Sequence, residues 1–135
     1  MASSDKDHIT CHVLDTTAGR PAKGIRVRLV GGAASATAQP KTFESITDDD
    51  GRILVWLPYS SDLSAGEVPV YTLFDVLGEA RGSSRWTLRF DTAGYFGEDN
   101  TFFPEVTVTF RVDEGQHYHV PLLLSPYSYT TYRGS

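Results

Sequence analysis

Residues 105–112 carry an apolar side chain at every second position. Val106, Val108, Phe110 and Val112 fall on one face, and Thr107, Thr109 and Arg111 on the other. A period of two belongs to a half-buried strand, not to a helix. The pattern recurs along the chain. Ile9, Cys11 and Val13 alternate with His8, Thr10, His12 and Leu14; Ile25, Val27 and Leu29 alternate with Arg26 and Arg28. Trp86, Leu88 and Phe90 share a face, and residues 42–47 and 116–124 read as further strands. After the turn Asp48-Asp49-Asp50-Gly51, Arg52, Leu54 and Trp56 alternate with Ile53, Val55 and Leu57. Turn signals separate these runs, among them Gly19, Pro21 and Gly24, and later Asp113-Glu114-Gly115. Helical signal is weak. Residues 70–77 suit a strand or a short helix, and residues 92–100 one helical turn. Seven or eight short strands so spaced imply an all-β chain, a two-sheet antiparallel β-sandwich with at most one short helix.

The chain has 135 residues, one domain's worth, and we expect a single domain over 1–135 with a flexible segment at 1–7. Residues 31–40 and 62–85 read as expanded loops. Twelve basic against seventeen acidic side chains give a net charge of −5, which disfavours nucleic acid as a partner. No apolar run approaches the ~18 residues of a membrane helix, so no membrane partner is expected. The polar start Met1-Ala2-Ser3-Ser4 does not resemble a secretory leader. The single cysteine, Cys11, fits a reducing compartment, or a fold that needs no bridge. A cytoplasmic location is expected, with the peroxisome as the alternative.

Three histidines and an arginine stand out. His12 lies mid-strand on the polar face, His117 and His119 sit two apart on one strand, and Arg52 opens a strand. Each has an ordinary reading as a surface or satisfied core residue, and together they could share a polar site. His-x-His on a strand can also supply two zinc ligands. No carboxylate is placed to support such ligands, and no metal or cofactor is expected. Cys11 falls on the apolar face, where a thiol stays protonated and inert. The segment Tyr127-Ser128-Tyr129-Thr130-Thr131-Tyr132-Arg133-Gly134-Ser135 is too aromatic for a fraying tail. A further strand would explain its first tyrosines, but not Arg133-Gly134-Ser135.

The stretch His117-Tyr118-His119-Val120-Pro121-Leu122-Leu123-Leu124-Ser125-Pro126, with the closing Tyr132-Arg133-Gly134-Ser135, resembles the C-terminal signature of the transthyretin-like family. Its last four residues resemble the tetrapeptide that marks the enzymatic, 5-hydroxyisourate hydrolase branch. His12-Val13-Leu14-Asp15, Asp50-Gly51-Arg52 and Phe103-Pro104-Glu105-Val106 match further motifs of that family in the expected order.

That resemblance implies a two-sheet sandwich assembled as a homotetramer, a dimer of dimers with active sites at the ends of a central channel. It implies catalytic roles for His12, Arg52 and His119, and substrate contacts from Tyr132, Arg133, Gly134 and Ser135, with His117 secondary. The implied substrate is 5-hydroxyisourate, an unstable product of urate oxidation. Hydrolysis opens its six-membered ring at a lactam carbonyl to give 2-oxo-4-hydroxy-4-carboxy-5-ureidoimidazoline. Histidine suits the proton transfers and arginine an anionic, urate-like ring. Either histidine could activate the water. The alternative function is a small-aromatic or hormone carrier using the tetramer channel, and its expected mark is an apolar site instead of this polar trio.

Overall fold

A computed structural model describes residues 6–32, 40–59 and 71–135. Among these, strands β1 Ile9–Asp15, β2 Arg20–Pro21, β5 Arg52–Ile53, β9 Tyr118–Ser125 and β10 Ser128–Thr131 form one sheet, in the order β10-β9-β1-β2 with β5 also on β1. The second sheet runs β6-β4-β3-β7-β8, from Leu57–Pro58, Lys41–Ile46, Arg26–Gly31, Ser83–Phe90 and Val106–Asp113. The two-sheet all-β architecture is the one the alternation implies. Among the described residues every pairing is antiparallel except β1 with β9, which run parallel over seven residue pairs from Ile9↔Tyr118 to Asp15↔Leu124.

The alternating apolar positions meet between the sheets. Ile9, Cys11, Val13, Leu122 and Leu124 come from one side. Val27, Leu29, Phe43, Trp86, Leu88, Phe90 and Val106 come from the other. Trp86 lies fully buried against Phe43, their ring centres 6.3 Å apart. It also fills the space where a side chain at Gly31 would stand, since a Cβ there would lie 2.5 Å from the indole. Of the loop read at 31–40, residues 33–39 fall outside the described region, as do residues 60–70 of the second expanded segment and residues 1–5 of the N-terminal segment. Asp7 is held: its N–H donates to the Leu54 carbonyl at 2.7 Å, and its carboxylate accepts the Trp56 N–H at 2.8 Å.

Two segments fold differently from their alternation. After Ile53 the chain leaves β5, so residues 52–57 are not one strand. Leu54 and Val55 are exposed, while Trp56 turns into the core and donates from Nε1 to the Ile9 carbonyl at 2.8 Å. Of residues 70–77, residue 70 falls outside the described region, and from Leu73 onward the chain is helical, α1 Leu73–Glu79. The deciding feature is a capping box: Thr72 Oγ1 accepts the Asp75 N–H, and the Asp75 carboxylate accepts the Thr72 N–H. A second, single-turn helix, α2 Thr92–Phe96, is capped by Asp91, whose carboxylate accepts the Gly94 N–H.

Candidate active site

Pairing register gathers the site. On β1, His12 stands opposite Arg52 of β5, and Thr10 stands opposite His119 of β9. Residues opposite one another on neighbouring strands project to one face. Cys11, Ile53 and Val120 therefore point into the core, and Thr10, His12, Arg52 and His119 take the outer face. The imidazoles of His12 and His119 lie 6.3 Å apart between ring centres.

Local chemistry fixes each of these positions. Arg52 follows a tight turn closed by Gly51 N–H donating to the Asp48 carbonyl. The Asp48 carboxylate accepts the N–H groups of Asp50 and Arg52, both at 2.9 Å. Gly51 sits at φ 74° with a Cβ position 2.4 Å from the Val13 carbonyl, so no side chain fits there. His119 is held from two sides. Its Nδ1 lies 2.8 Å from Thr10 Oγ1, and its backbone carbonyl accepts the Gly134 N–H at 2.8 Å.

Gly134 lies against the imidazole. A Cβ there would stand 2.8 Å from His119 Cδ2 and 3.1 Å from the His119 carbonyl oxygen. Gly134→Ala should displace the ring or the tail while leaving the core intact. If His119 acts in turnover, the expected loss in kcat/KM is about 10–100-fold, as for other small misplacements at reacting groups, with thermal stability unchanged. Undiminished turnover in the variant would show that the tail does not position the ring.

A cleft of about 330 Å³ opens on this face, lined by Thr10, Arg52, His119 and Ser135 together with Lys6, Asp7, His8, Leu54, His117 and Tyr118. The closing tetrapeptide divides. Ser135 lines the cleft, Gly134 backs His119, and Tyr132 and Arg133 line a neighbouring groove between β8 and β9–β10. There the Arg133 guanidinium sits 4.8 Å over the Tyr118 ring. His117 packs against His8 in the cleft wall, the rings tilted and their centres 4.0 Å apart. Sequence reasoning passed over Lys6, His8 and Thr10 as site residues. For Thr10 a signal was present: it stands two residues before His12, on the same strand face.

Burial and the Arg52 cation both push the His12 and His119 imidazoles below their ordinary pKa. For His12, a hydrogen bond to the Asp50 backbone and the carboxylates of Asp48 and Asp50 pull the other way. His12 and Lys6 add to the depression at His119. The face thus offers neutral imidazoles, able to accept a proton, beside a permanent cation able to hold an anion. Cys11 is fully buried and its thiol pKa is pushed far up, so it supplies no nucleophile. Among the described residues, no three His, Cys, Asp or Glu side chains come together to hold a metal ion.

The HIUase/Transthyretin family model matches residues 9–134. The chain belongs to that family. A 5-hydroxyisourate hydrolase of Mus musculus is 38% identical over 136 residues, spanning 98% of this chain and 99% of its own. A probable 5-hydroxyisourate hydrolase of Schizosaccharomyces pombe is 38% identical over 130 residues, spanning 94% of this chain and 90% of its own. The structure of Klebsiella pneumoniae 5-hydroxyisourate hydrolase superposes with a TM-score of 0.60 at 26% identity, covering 94% of this chain and 98% of that one. Among HIUase/Transthyretin members, therefore, this chain is similar along nearly its whole length to proteins named as hydrolases. Among its described residues, no helix is long and apolar enough to cross a membrane.

Proposed function

We propose that this protein hydrolyses 5-hydroxyisourate in urate degradation. The observation that carries the proposal is the gathering of His12, Arg52 and His119 on one sheet face by the register of β5 and β9 on β1. Near-full-length similarity to named hydrolases supports the same reading. A carrier would need an apolar site, and this face is lined by titratable groups.

In this reading a neutral histidine takes a proton from water as the water oxygen bonds to the lactam carbonyl carbon. The carbonyl electron pair moves to oxygen, where the Arg52 guanidinium stabilises it. The oxyanion pair then re-forms the carbonyl as the C–N bond breaks, the nitrogen takes the proton held by the histidinium, and the new carboxylic acid loses its proton to solvent, leaving a carboxylate on the opened ring. In the same reading Ser135, which lines the cleft, contacts the substrate or the water.

The test generates 5-hydroxyisourate in place from urate and urate oxidase, adds the protein, and follows the ultraviolet decay. Accelerated decay is expected. Decay at the uncatalysed rate with folded protein would remove the hydrolase reading.

A homotetramer, a dimer of dimers, belongs to the same proposal. It is supported by two sheet edges, β8 and β10, that have one partner each among the described residues and flank a common groove of about 310 Å³. Light scattering on the assayed sample should give four chains per particle. The buried, unpaired Cys11 supports a cytoplasmic location, which cell fractionation would check.

A further inference from the structure

Thr10 has no role in the motifs that led to the site, yet its side chain makes a close polar contact to the His119 imidazole. Its Oγ1 lies 2.8 Å from Nδ1 of the imidazole and 3.5 Å from the Tyr118 carbonyl oxygen. Thr10 is itself buried, 7% exposed, one pair in from the start of the β1–β9 pairing. A hydroxyl has one hydrogen to give, and a carbonyl can only accept. With that hydrogen directed at Tyr118, the hydroxyl lone pair faces Nδ1 and requires a hydrogen there. The reverse arrangement would turn a hydroxyl lone pair towards the carbonyl lone pairs. The other side of the ring is also fixed, because Cδ2 lies against Gly134. Nδ1 and Cδ2 are the two ring atoms bonded to Cγ. With both occupied, Nε2 at the distal edge is the nitrogen left for the cleft.

We propose that Thr10 is a positioning residue that holds neutral His119 with its hydrogen on Nδ1, so that the Nε2 lone pair is the proton acceptor presented to the cleft. The hydrogen runs in one direction through the chain: His119 Nδ1–H donates to Thr10 Oγ1, and Thr10 O–H donates to the Tyr118 carbonyl. The depressed basicity of His119 beside Arg52 agrees with a ring that is neutral when it works. Which nitrogen of a histidine acts is set by what the other nitrogen bonds to. Here that control passes to a side chain on the neighbouring strand. The consequence for turnover rests on the hydrolase reading; the tautomer itself does not.

The experiment is long-range proton–nitrogen correlation NMR on the full chain with nitrogen-15 histidine, at a pH where His119 is neutral, with His119→Gln used to assign its signals. In the wild type, Nδ1 of His119 should carry the hydrogen. Thr10→Ser keeps the hydroxyl and should keep that form. Thr10→Val is close in shape, removes the hydroxyl, and should shift the ring towards the Nε2–H form that isolated histidine favours. A wild-type His119 protonated at Nε2, or a Thr10→Val variant with the tautomer unchanged, overturns the proposal. Should Thr10→Val fail to fold, the wild-type and Thr10→Ser spectra decide between the same two outcomes. With 5-hydroxyisourate, Thr10→Val should lose about tenfold in kcat, the worth of one neutral hydrogen bond, and Thr10→Ser should recover most of it. A wild type inactive on this substrate would overturn the proposed reaction and leave the spectra to judge the tautomer independently.

Discussion

Replacing His119 with alanine is expected to lower kcat/KM for 5-hydroxyisourate by about 10²–10⁴-fold, the usual contribution of a positioned acid–base group. The fold should survive, because His119 projects from β9 on the face away from the core, and its neighbours Tyr118 and Val120 supply the packing. The pH profile carries the sharper signature. A histidine that accepts a proton must be neutral, so activity rises as pH rises through its pKa. Burial and Arg52 lower that pKa from the ordinary 6.5. The acidic limb of kcat/KM, which reports the free enzyme, should therefore fall below 6.5 in the wild type. Arg52→Gln should move the limb upward, since the nearby cation is then gone. A limb above 6.5, or wild-type kcat/KM in His119→Ala, would exclude His119 as the proton acceptor.

Trp86→Ala should cost about 3–5 kcal/mol, the range for deleting a large aromatic from a core. Trp86 is fully buried, packs against Phe43 and covers Gly31 and Gly32. The room beside Gly31 is filled by the indole, whereas beside Gly32 Val76 stands nearer than the ring, so deleting the indole opens a gap chiefly at Gly31. The indole N–H also donates to Ser84 Oγ at 3.1 Å, and that bond is lost with the ring. For a chain of this length the cost corresponds to a fall in Tm of roughly 10–20 °C. Differential scanning calorimetry reads it directly. A fall of less than about 5 °C would mean that the sheets close over the gap.

The strand faces were legible because burial on one side imposes a period of two, and β1, β3, β7 and β9 obey it. The partners of those strands were less so. Nothing in residues 8–15 announces that they lie parallel to residues 118–125, because alternation records a face and carries no information about the neighbouring strand. Trp56 illustrates a second limit. Its spacing from Arg52 suits a continued strand, but the indole is worth more in the core, and the chain bends after Ile53 to bury it. The helix α1 could have been read from Thr72 and Asp75, whose spacing is that of a capping box. At the site, His12, Arg52 and His119 were visible through motifs, whereas the parting of Arg133 from Ser135 depends on backbone geometry after β10. Thr10 looked like any strand threonine until register placed His119 opposite it.

The parallel pairing of β1 with β9 has a kinetic meaning. Thr10 and His119 are 109 residues apart in sequence yet 2.8 Å apart in space. Joining them closes a loop through most of the chain, and contacts of such separation form slowly. During synthesis, β1 must wait, one edge unpaired, until β9 has left the ribosome. The cleft should then be assembled late, so the appearance of enzymatic activity during refolding would lag the collapse of the Trp86 core.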